Sequence, residues 1–264
     1  MIETLTTNAK GDFRKQPIGK RADSRTALDY HSFAIDLESK GNQEKLVDLA
    51  QNGVACQSAY TKAMAPYHCA FASALPTVYV REGIAIKLQE VNNLLRPYEV
   101  EILALDGYRP IALQKELWDY FIEKGRQASA EASDEELVRF AGQYCSDPRQ
   151  FDPSNYRTWP VHNTGGAIDL TLRRLAEGQE LFMGGIFDDA DEISWTRHYE
   201  DERHTSESAQ EARRNRRLLY HSMCAAGFEN YHYEWWHYDL GTQMWAMHRG
   251  KNSHAYYGRA ELPA

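Results

Sequence analysis

Three residues of this chain have the side chains and the spacing of a zinc site. His162 and Asp169 lie seven residues apart in the segment HNTGGAIDL, and His237 ends the later segment EWWH. Zinc prefers nitrogen and oxygen ligands in a tetrahedron, and a catalytic zinc site keeps one of the four positions for water. Two histidines and one carboxylate meet this requirement, so the sequence predicts a zinc site formed by these three residues.

Glu234 gives the predicted site a hydrolytic character. It lies three residues before His237, close to a ligand yet not needed as one. In hydrolytic zinc sites the metal lowers the pKa of its water, and a carboxylate that is not a ligand takes the proton. The pattern therefore predicts hydrolysis by metal-activated water, with Glu234 as the general base.

Asp169 taken alone admits other interpretations. It stands in a run of apolar residues and threonine, where an unpaired carboxylate would cost several kcal/mol to bury. A divalent metal, a salt bridge to an arginine, or a strand edge that reaches water would each resolve this cost.

Arg109, in the segment LDGYRP, is a candidate for stabilising negative charge. It stands at the end of a predicted strand and just before a predicted helix. From there its planar guanidinium could direct several donors at a developing oxyanion. The alternative is an arginine that caps a turn or pairs with a surface carboxylate.

Helices and strands are predicted around these residues from periodicity and from turn signals. Ile84, Leu88, Val91 and Leu95 follow a helical spacing that ends before Pro97. The other predicted helices cover residues 42–53, Pro110 to Gly125, the segment after Ser133 with a capping box to Glu136, and residues 206–227. The predicted strands cover Tyr98 to about Leu105, residues 165–174 and the aromatic run YHYEWWHYDL at 231–240. This order predicts an α+β fold, in which a small and mainly antiparallel sheet carries the zinc site and helices pack on it.

The aromatic run raises a geometric problem. Side chains alternate between the two faces of a regular strand, so residues three apart point to opposite sides. Glu234 and His237 would then diverge, although both have to reach one metal centre. We therefore expect a bulge or a non-extended residue between them, or a strand that begins only near Trp236.

Composition narrows the class of protein. The chain has 264 residues, 42% hydrophobic and 26% charged, which suits either one large globular domain or one domain with a substantial added segment. A net charge of −8 disfavours binding to nucleic acid. No signal-peptide pattern, no long apolar stretch and no CxxC motif are visible, so we expect a cytoplasmic protein with free thiols and no membrane contact.

Three motifs together resemble one family. DGYRP, HNTGGAID and EWWHY, in this chain order, are similar to the motifs of the VanX-type D-alanyl-D-alanine dipeptidases. These enzymes belong to a wider group of zinc peptidases that includes D,D-carboxypeptidases and Hedgehog-like folds. The resemblance covers about residues 80–245. It implies residues 76–264 as the zinc dipeptidase domain, with residues 1–75 as a polar lead-in and a helical extension packed on it.

The resemblance implies a role for each matching residue. One zinc ion per chain would be bound by His162, Asp169 and His237. Glu234 would return its proton to the leaving amine, and Arg109 would stabilise the tetrahedral intermediate. Asp188 would hold the substrate's ammonium group, and Trp235 and Trp236 would line the substrate pocket. Asp188 lies in the acidic segment DDADE, which is equally typical of a solvated surface, and Asp189 or Asp191 could be confused with it.

The implied activity is hydrolysis of a small D,D-dipeptide, D-Ala-D-Ala in the first place. Pro160 stands where the family usually has a serine, and Asn163 and Thr164 also depart from its pattern. These differences keep open the alternative of another small peptide that contains D-residues, in a biosynthetic or self-resistance pathway. A non-catalytic zinc-stabilised binding protein is a separate alternative, and the presence of Glu234 and Arg109 argues against it. His198 and His204, which lie among acidic residues, indicate a lid or a solvated loop, or else a second metal site. The sequence does not indicate an oligomeric state.

Overall fold

A central sheet of five strands organises the molecule. The computed structural model describes residues 11–20, 30–189 and 191–262. The strands of the described residues are β1 (Leu46–Asp48), β2 (Ala55–Cys56), β3 (Tyr79–Arg81), β4 (Val100–Asp106), β5 (Ala167–Arg174), β6 (Glu229–Asn230) and β7 (His237–Asp239). The central sheet has the order β2-β4-β5-β7-β6, and β1 and β3 form a separate antiparallel pair. Among the paired strands of the central sheet in the described residues, only β2 and β4 run parallel, so the predicted mainly antiparallel sheet is confirmed.

The described part of the chain also contains five α-helices. They are α1 (Glu82–Leu95), α2 (Ile111–Ala128), α3 (Asp134–Ala141), α4 (Glu207–Ala225) and α5 (Gln243–Arg249). The apolar face predicted for α1 is completely buried, and α3 begins with the predicted capping box between Ser133 and Glu136. The α+β class predicted from the sequence is therefore confirmed.

The two faces of β5 have different functions. Ile168, Leu170 and Leu172 are fully buried in the main apolar core, together with residues of α1 and α4. Asp169 lies on the opposite face, as the alternation of side chains along a strand requires. The core therefore fixes the strand, and the strand presents its carboxylate on the other side.

The prediction of a helix over residues 42–53 is wrong. Residues 46–48 instead form β1, which pairs with β3, and Ala50–Asn52 form a short 3-10 turn. Gly53 ends that turn with a φ of 72°. Leu46, Val47 and Leu49 are too few apolar positions to distinguish a helical period from a strand, and the pairing with β3 decides between them.

Gly125 was predicted to end α2, but it lies inside this helix. A Cβ at this position would lie 2.8 Å from a methyl group of Leu137 on α3. The glycine thus permits close packing of two helices, which a sequence pattern does not distinguish from a helix stop.

The described part of the N-terminal segment is joined to the main core. Phe13, Leu49 and Val54 belong to that core, and β2 pairs with β4 in the central sheet. Between residues 11 and 75 the described residues form 3-10 turns and two short strands but no α-helix, so the predicted helical character of this extension is wrong. Residues 1–10 and 21–29 of the predicted N-terminal segment lie outside the described residues, and the domain division at residue 75 stays a prediction.

Among the described residues, no helix combines the length and the apolar character needed to cross a bilayer.

Candidate metal centre

Adjacent strands bring the three predicted ligands together. Asp169 on β5 and His237 on β7 are direct partners in the antiparallel register. His162 lies in a 3-10 turn, Val161–Thr164, immediately before β5, and Gly165 ends this turn with a φ of 72°. One candidate ligand atom from each of the three side chains lies within 4.8 Å of the others, and all three side chains are buried.

Hydrogen bonds from outside the set orient both imidazole rings. His162 Nδ1 lies 2.8 Å from the carbonyl oxygen of Gly107, which can only accept, so this nitrogen carries the proton. His162 Nε2 is then left for a metal, 3.4 Å from Asp169 Oδ2. On the other ring, His237 Nε2 donates to Asp239 at 2.8 Å, which leaves Nδ1 facing Asp169 at 2.9 Å. Such partners are what metal-binding histidines require, so the residues fit a divalent cation.

The electrostatics of the three side chains also suit a cation. Burial lowers the pKa of His162 and so favours the neutral ring that a metal needs. Burial opposes ionisation of Asp169, but His162 and His237 together lower its pKa overall. Burial would also disfavour a charged His237, yet Asp239 and Asp169 raise its pKa well above the usual range. The two carboxylates therefore create a position that favours positive charge.

Asp239 connects the centre to the last helix. Its Oδ1 accepts a hydrogen bond of 2.6 Å from the Thr242 hydroxyl. Thr242 is also the N-cap of α5, where its side chain accepts from the backbone N–H of Trp245. The hydroxyl group of Thr242 thus fixes both Asp239, the carboxylate bonded to His237 Nε2, and the start of α5.

Glu234 lies on the same side as His237 because the chain is not extended between them. Residues 231–236 form turns, and β7 begins only at His237, which confirms the predicted interruption of the aromatic strand. The Asn230 side chain donates to the carbonyl oxygens of both Glu234 and His237 at 3.0 Å and closes this turn. Glu234 Oε2 consequently lies 3.9 Å from His237 Nδ1, near the ligand set but outside it. Burial raises the pKa of Glu234 to about 8, although His237 opposes this shift.

Arg109 is buried at the same centre and is not a surface residue. Its Nε donates to Asp106 at 2.8 Å, and its Nη1 donates to Gln114 at 3.1 Å. Its Nη2 lies 3.7 Å from Asp169 Oδ2. Asp169 thus faces an arginine as well as two histidines, so the metal and the salt bridge considered for this carboxylate are compatible.

Two tyrosines that the sequence did not single out hold Asp188. Asp188 Oδ2 accepts from the hydroxyl of Tyr60 at 3.0 Å and from that of Tyr67 at 2.5 Å. Tyr60 in turn accepts from Arg109 Nη2 at 3.0 Å. Burial raises the pKa of Asp188 to about 6, although Arg109 and the two phenols oppose it. No motif marks these tyrosines, whose only signal is the aromatic-rich segment SAYTKAMAPYHCAF.

The predicted catalytic and ligand side chains line one cavity of about 220 Å³. It contains His162, Asp169, His237, Glu234, Arg109 and Asp188, and its remaining wall includes Tyr30, Ser146, Pro160, Val161, Tyr231 and Met244. Asp189 and Asp191 line a neighbouring cavity that Asp188 also borders, and of these three aspartates only Asp188 lines the cavity of the ligand set.

Neither of the two tryptophans lines this cavity. Trp236 borders the neighbouring cavity together with Asp188 and Glu234. Trp235 lines a third cavity next to Leu105 and Thr171. Adjacent residues diverge here, so Trp235 is not placed for the predicted substrate contact.

His198 and His204 lie away from the centre. Their rings are 4.5 Å apart, and they line a separate cavity of about 900 Å³. Within the described residues, the set of His162, Asp169 and His237 is the only group of three or more candidate ligands close enough to hold a metal. The second metal site therefore has no support from a third ligand.

Comparison with known proteins identifies the family. The peptidase M15 family described as D-ala-D-ala dipeptidase matches residues 73–255. This chain belongs to that family. The D-alanyl-D-alanine dipeptidase of Synechocystis sp. is 34% identical over 202 residues, which cover 69% of this chain and 79% of that protein. The corresponding enzyme of Enterococcus faecalis is 30% identical over 160 residues, which cover 60% and 71%. Family membership makes this chain a dipeptidase.

A solved structure was also found. It is a zinc-bound variant of the vancomycin resistance D,D-pentapeptidase VanY, 15% identical, with a TM-score of 0.38 over 67% of this chain and 81% of the other. A likeness at this level supports no conclusion about the present site.

Proposed function

We propose that this dipeptidase hydrolyses D-Ala-D-Ala with one zinc ion held by His162, Asp169 and His237. The observation that carries the proposal is the meeting of this ligand set with a non-ligand carboxylate and a buried arginine in one cavity. Both relatives described above are named D-alanyl-D-alanine dipeptidase, which favours this substrate over another D-residue peptide and over a non-catalytic role.

The size of the cavity suits a dipeptide. Pockets for drug-sized ligands occupy about 300–1,000 Å³, and this one has about 220 Å³. Asp188 would accept the free ammonium group through Oδ1, because its Oδ2 is already held by the two tyrosines. The carboxylate thus fixes the amino end of the substrate, and the peptide bond would lie beside Glu234 and Arg109.

The bound zinc would supply polarisation of the scissile carbonyl group and a lower pKa for the attacking water. Glu234 would take the proton from that water, because the positive charge of a bound zinc ion would lower the raised pKa of this carboxyl group and keep it ionised near neutral pH. The water oxygen then bonds to the carbonyl carbon, and Arg109 would donate to the oxygen that becomes negative. Glu234 would finally pass its proton to the leaving nitrogen as the peptide bond breaks.

A substrate panel tests the proposal. The purified chain is loaded with zinc, its metal content is measured by elemental analysis, and release of D-alanine is followed from D-Ala-D-Ala. We expect one zinc per chain and turnover of D-Ala-D-Ala much faster than that of L-Ala-L-Ala. Equal rates for the two dipeptides would reject the proposed substrate.

The cytoplasmic location stays a prediction from the sequence.

Arg109→Ala is expected to lower kcat by about 100-fold or more. The loss of one donor to an oxyanion costs about 10²–10³ in kcat, and Arg109 Nη2 is 3.7 Å from a proposed zinc ligand. Steady-state kinetics on D-Ala-D-Ala measure the effect. Arg173→Ala is the matched control, since this arginine pairs only with Glu101 on the neighbouring strand. A decrease of less than about tenfold for Arg109→Ala would remove the residue from the mechanism.

The acid limb of kcat/KM is expected near pH 6. Asp188 has to be ionised to hold an ammonium group, and its pKa is about 6, so kcat/KM falls as the pH drops through this value. Tyr67→Phe removes a hydrogen bond that lowers this pKa, so the limb moves to higher pH. One hydrogen bond contributes about 1 kcal/mol, which corresponds to a roughly threefold higher KM at pH 6 and a roughly fivefold higher KM well below pH 6.

The matched control for that experiment is Tyr120→Phe. Tyr120 packs on Tyr67 in the same aromatic cluster, and its hydroxyl donates to the backbone of Tyr67 and not to Asp188. Its pH profile should equal that of the wild type. A limb that stays in place in Tyr67→Phe, or moves equally in both variants, would show that the phenol does not act through Asp188.

A further inference from the structure

Arg216 on α4 is a buried cation outside the catalytic cavity. Only 2% of its surface is exposed. Its three nitrogens donate to three different carbonyl oxygens, from Nε to Met183 at 2.7 Å, from Nη1 to Trp195 at 2.8 Å and from Nη2 to Ile193 at 2.7 Å. None of the ion pairs among the described residues involves it. A buried charge is costly unless it is hydrogen bonded, and here backbone carbonyls supply those bonds.

The three carbonyl groups belong to the two ends of one loop. Residues 183–195 connect the region after β5 to the region before α4, and a short 3-10 turn, Glu192–Ser194, is their only regular element in the described part of the chain. Met183 begins this loop, and Ile193 and Trp195 end it. Asp188 lies midway, five residues from Met183 and five from Ile193. One guanidinium group therefore joins both ends of the loop that carries Asp188.

The conformation of Asp188 needs such restraint. Its φ is 62°, in the left-handed region that residues other than glycine seldom adopt. Strained backbone of this kind persists where the surrounding structure fixes it. The tyrosine hydroxyls hold the side chain of Asp188, whereas the Arg216 hydrogen bonds act on the backbone around it.

The same arginine also contacts the segment that bears the proposed base. Its guanidinium carbon lies 5.6 Å from the centre of the Trp235 ring, and the backbone N–H of Trp235 donates to the carbonyl oxygen of Ser194 at 2.9 Å. The end of the loop is thus tied to the residue directly after Glu234. This contact places the loop in a fixed relation to the catalytic cavity.

We propose that Arg216 is a positioning residue for substrate binding, which fixes both ends of the 183–195 loop and so holds Asp188 where the substrate's ammonium group binds. This inference rests on the proposed function. A lysine would not replace the arginine, because its single nitrogen cannot reach three carbonyl groups that a planar guanidinium spans.

Kinetics of Arg216→Lys on D-Ala-D-Ala test the inference. We expect KM to rise about tenfold or more while kcat changes by less than about threefold, since binding of the amino end is lost and the bond-breaking groups remain. In an Asp188→Asn background the same substitution should change KM by less than about twofold, because residues that act through one another are not additive. Zinc content and the thermal unfolding midpoint are measured alongside to confirm a folded, loaded enzyme.

Arg213→Lys provides the matched control. Arg213 lies one turn earlier on α4 and also donates to backbone carbonyl groups, those of Tyr199, Asp201 and His204. None of these belongs to the 183–195 loop, so KM should stay at the wild-type value. If Arg213→Lys raises KM as much as Arg216→Lys does, the effect is a general loosening of α4, and the inference is wrong.

Two further outcomes are decisive. If the effects of Arg216→Lys and Asp188→Asn on KM multiply, Arg216 does not act through Asp188. If Arg216→Lys does not fold, Asn215→Ala replaces it, because Asn215 donates to Phe182 at 3.0 Å, next to the start of the loop. This milder variant should raise KM in the wild-type background and not with Asp188→Asn, and an unchanged KM would overturn the inference. Failure of the wild type to hydrolyse D-Ala-D-Ala would instead reject the proposed function itself.

Discussion

Glu234→Ala is expected to lower hydrolysis of D-Ala-D-Ala by about 1,000-fold while one zinc per chain remains bound. General acid–base catalysis contributes about 10²–10⁴ to a rate, and Glu234 is proposed to act twice, first on water and then on the leaving amine. Zinc should be retained because the carboxylate lies outside the ligand set, 3.9 Å from His237 Nδ1. Elemental analysis and steady-state kinetics on the same preparation measure both quantities.

Two more variants sharpen this result. Glu234→Gln keeps the shape of the side chain and removes its basicity, so it should be as inactive as the alanine variant. Glu229→Gln is the matched control, because this carboxylate lies five residues earlier on β6 and pairs with Arg249 at 3.7 Å. If Glu234→Ala hydrolyses the dipeptide at the wild-type rate, another group is the base. If it loses zinc, Glu234 is a ligand.

Asp169→Ala is expected to abolish both zinc binding and turnover. Asp169 has one oxygen near each imidazole, 2.9 Å from His237 Nδ1 and 3.4 Å from His162 Nε2, so its removal takes away a ligand and the main negative charge between the two rings. A metal ion supplies several kcal/mol of transition-state stabilisation, and about 4 kcal/mol corresponds to about 10³ in rate.

Chelation separates loss of metal from loss of fold. Wild-type enzyme treated with a chelator should lose activity and recover it when zinc is added, whereas Asp169→Ala should not respond to zinc. Glu101→Gln, on the neighbouring strand, removes only a pairing with Arg173 and should behave as the wild type. Full zinc occupancy in Asp169→Ala would mean that the ligand set is different.

The metal centre could be predicted because local sequence determines most of it. Asp169 follows an alternating strand pattern, and the glycines before it let the chain turn from the His162 segment into that strand. The odd spacing of Glu234 and His237, together with the requirement that both reach one metal centre, was enough to predict that the strand does not extend between them. Each of these inferences needed only neighbouring residues and the geometry of one element.

What could not be predicted depends on contacts between distant parts of the chain. Tyr60 and Tyr67 reach Asp188 across 128 and 121 residues, and nothing near either tyrosine indicates its partner. Residues 46–48 form a strand because β3 pairs with them. Their local sequence does not reveal this partner, and its apolar pattern suggested a helix. The direction of Trp235 is set by the turn before β7 and by the guanidinium of Arg216, neither of which the aromatic pattern reveals.

The double role of Thr242 has a thermodynamic consequence. Its hydroxyl donates to Asp239, the partner of a proposed zinc ligand, and accepts from the first turn of α5. A coupling of this kind is reciprocal, since two linked equilibria stabilise each other by the same free energy. Occupancy of the metal position and order in the C-terminal helix would then form one cooperative unit, in which zinc affinity depends on a helix that provides no ligand.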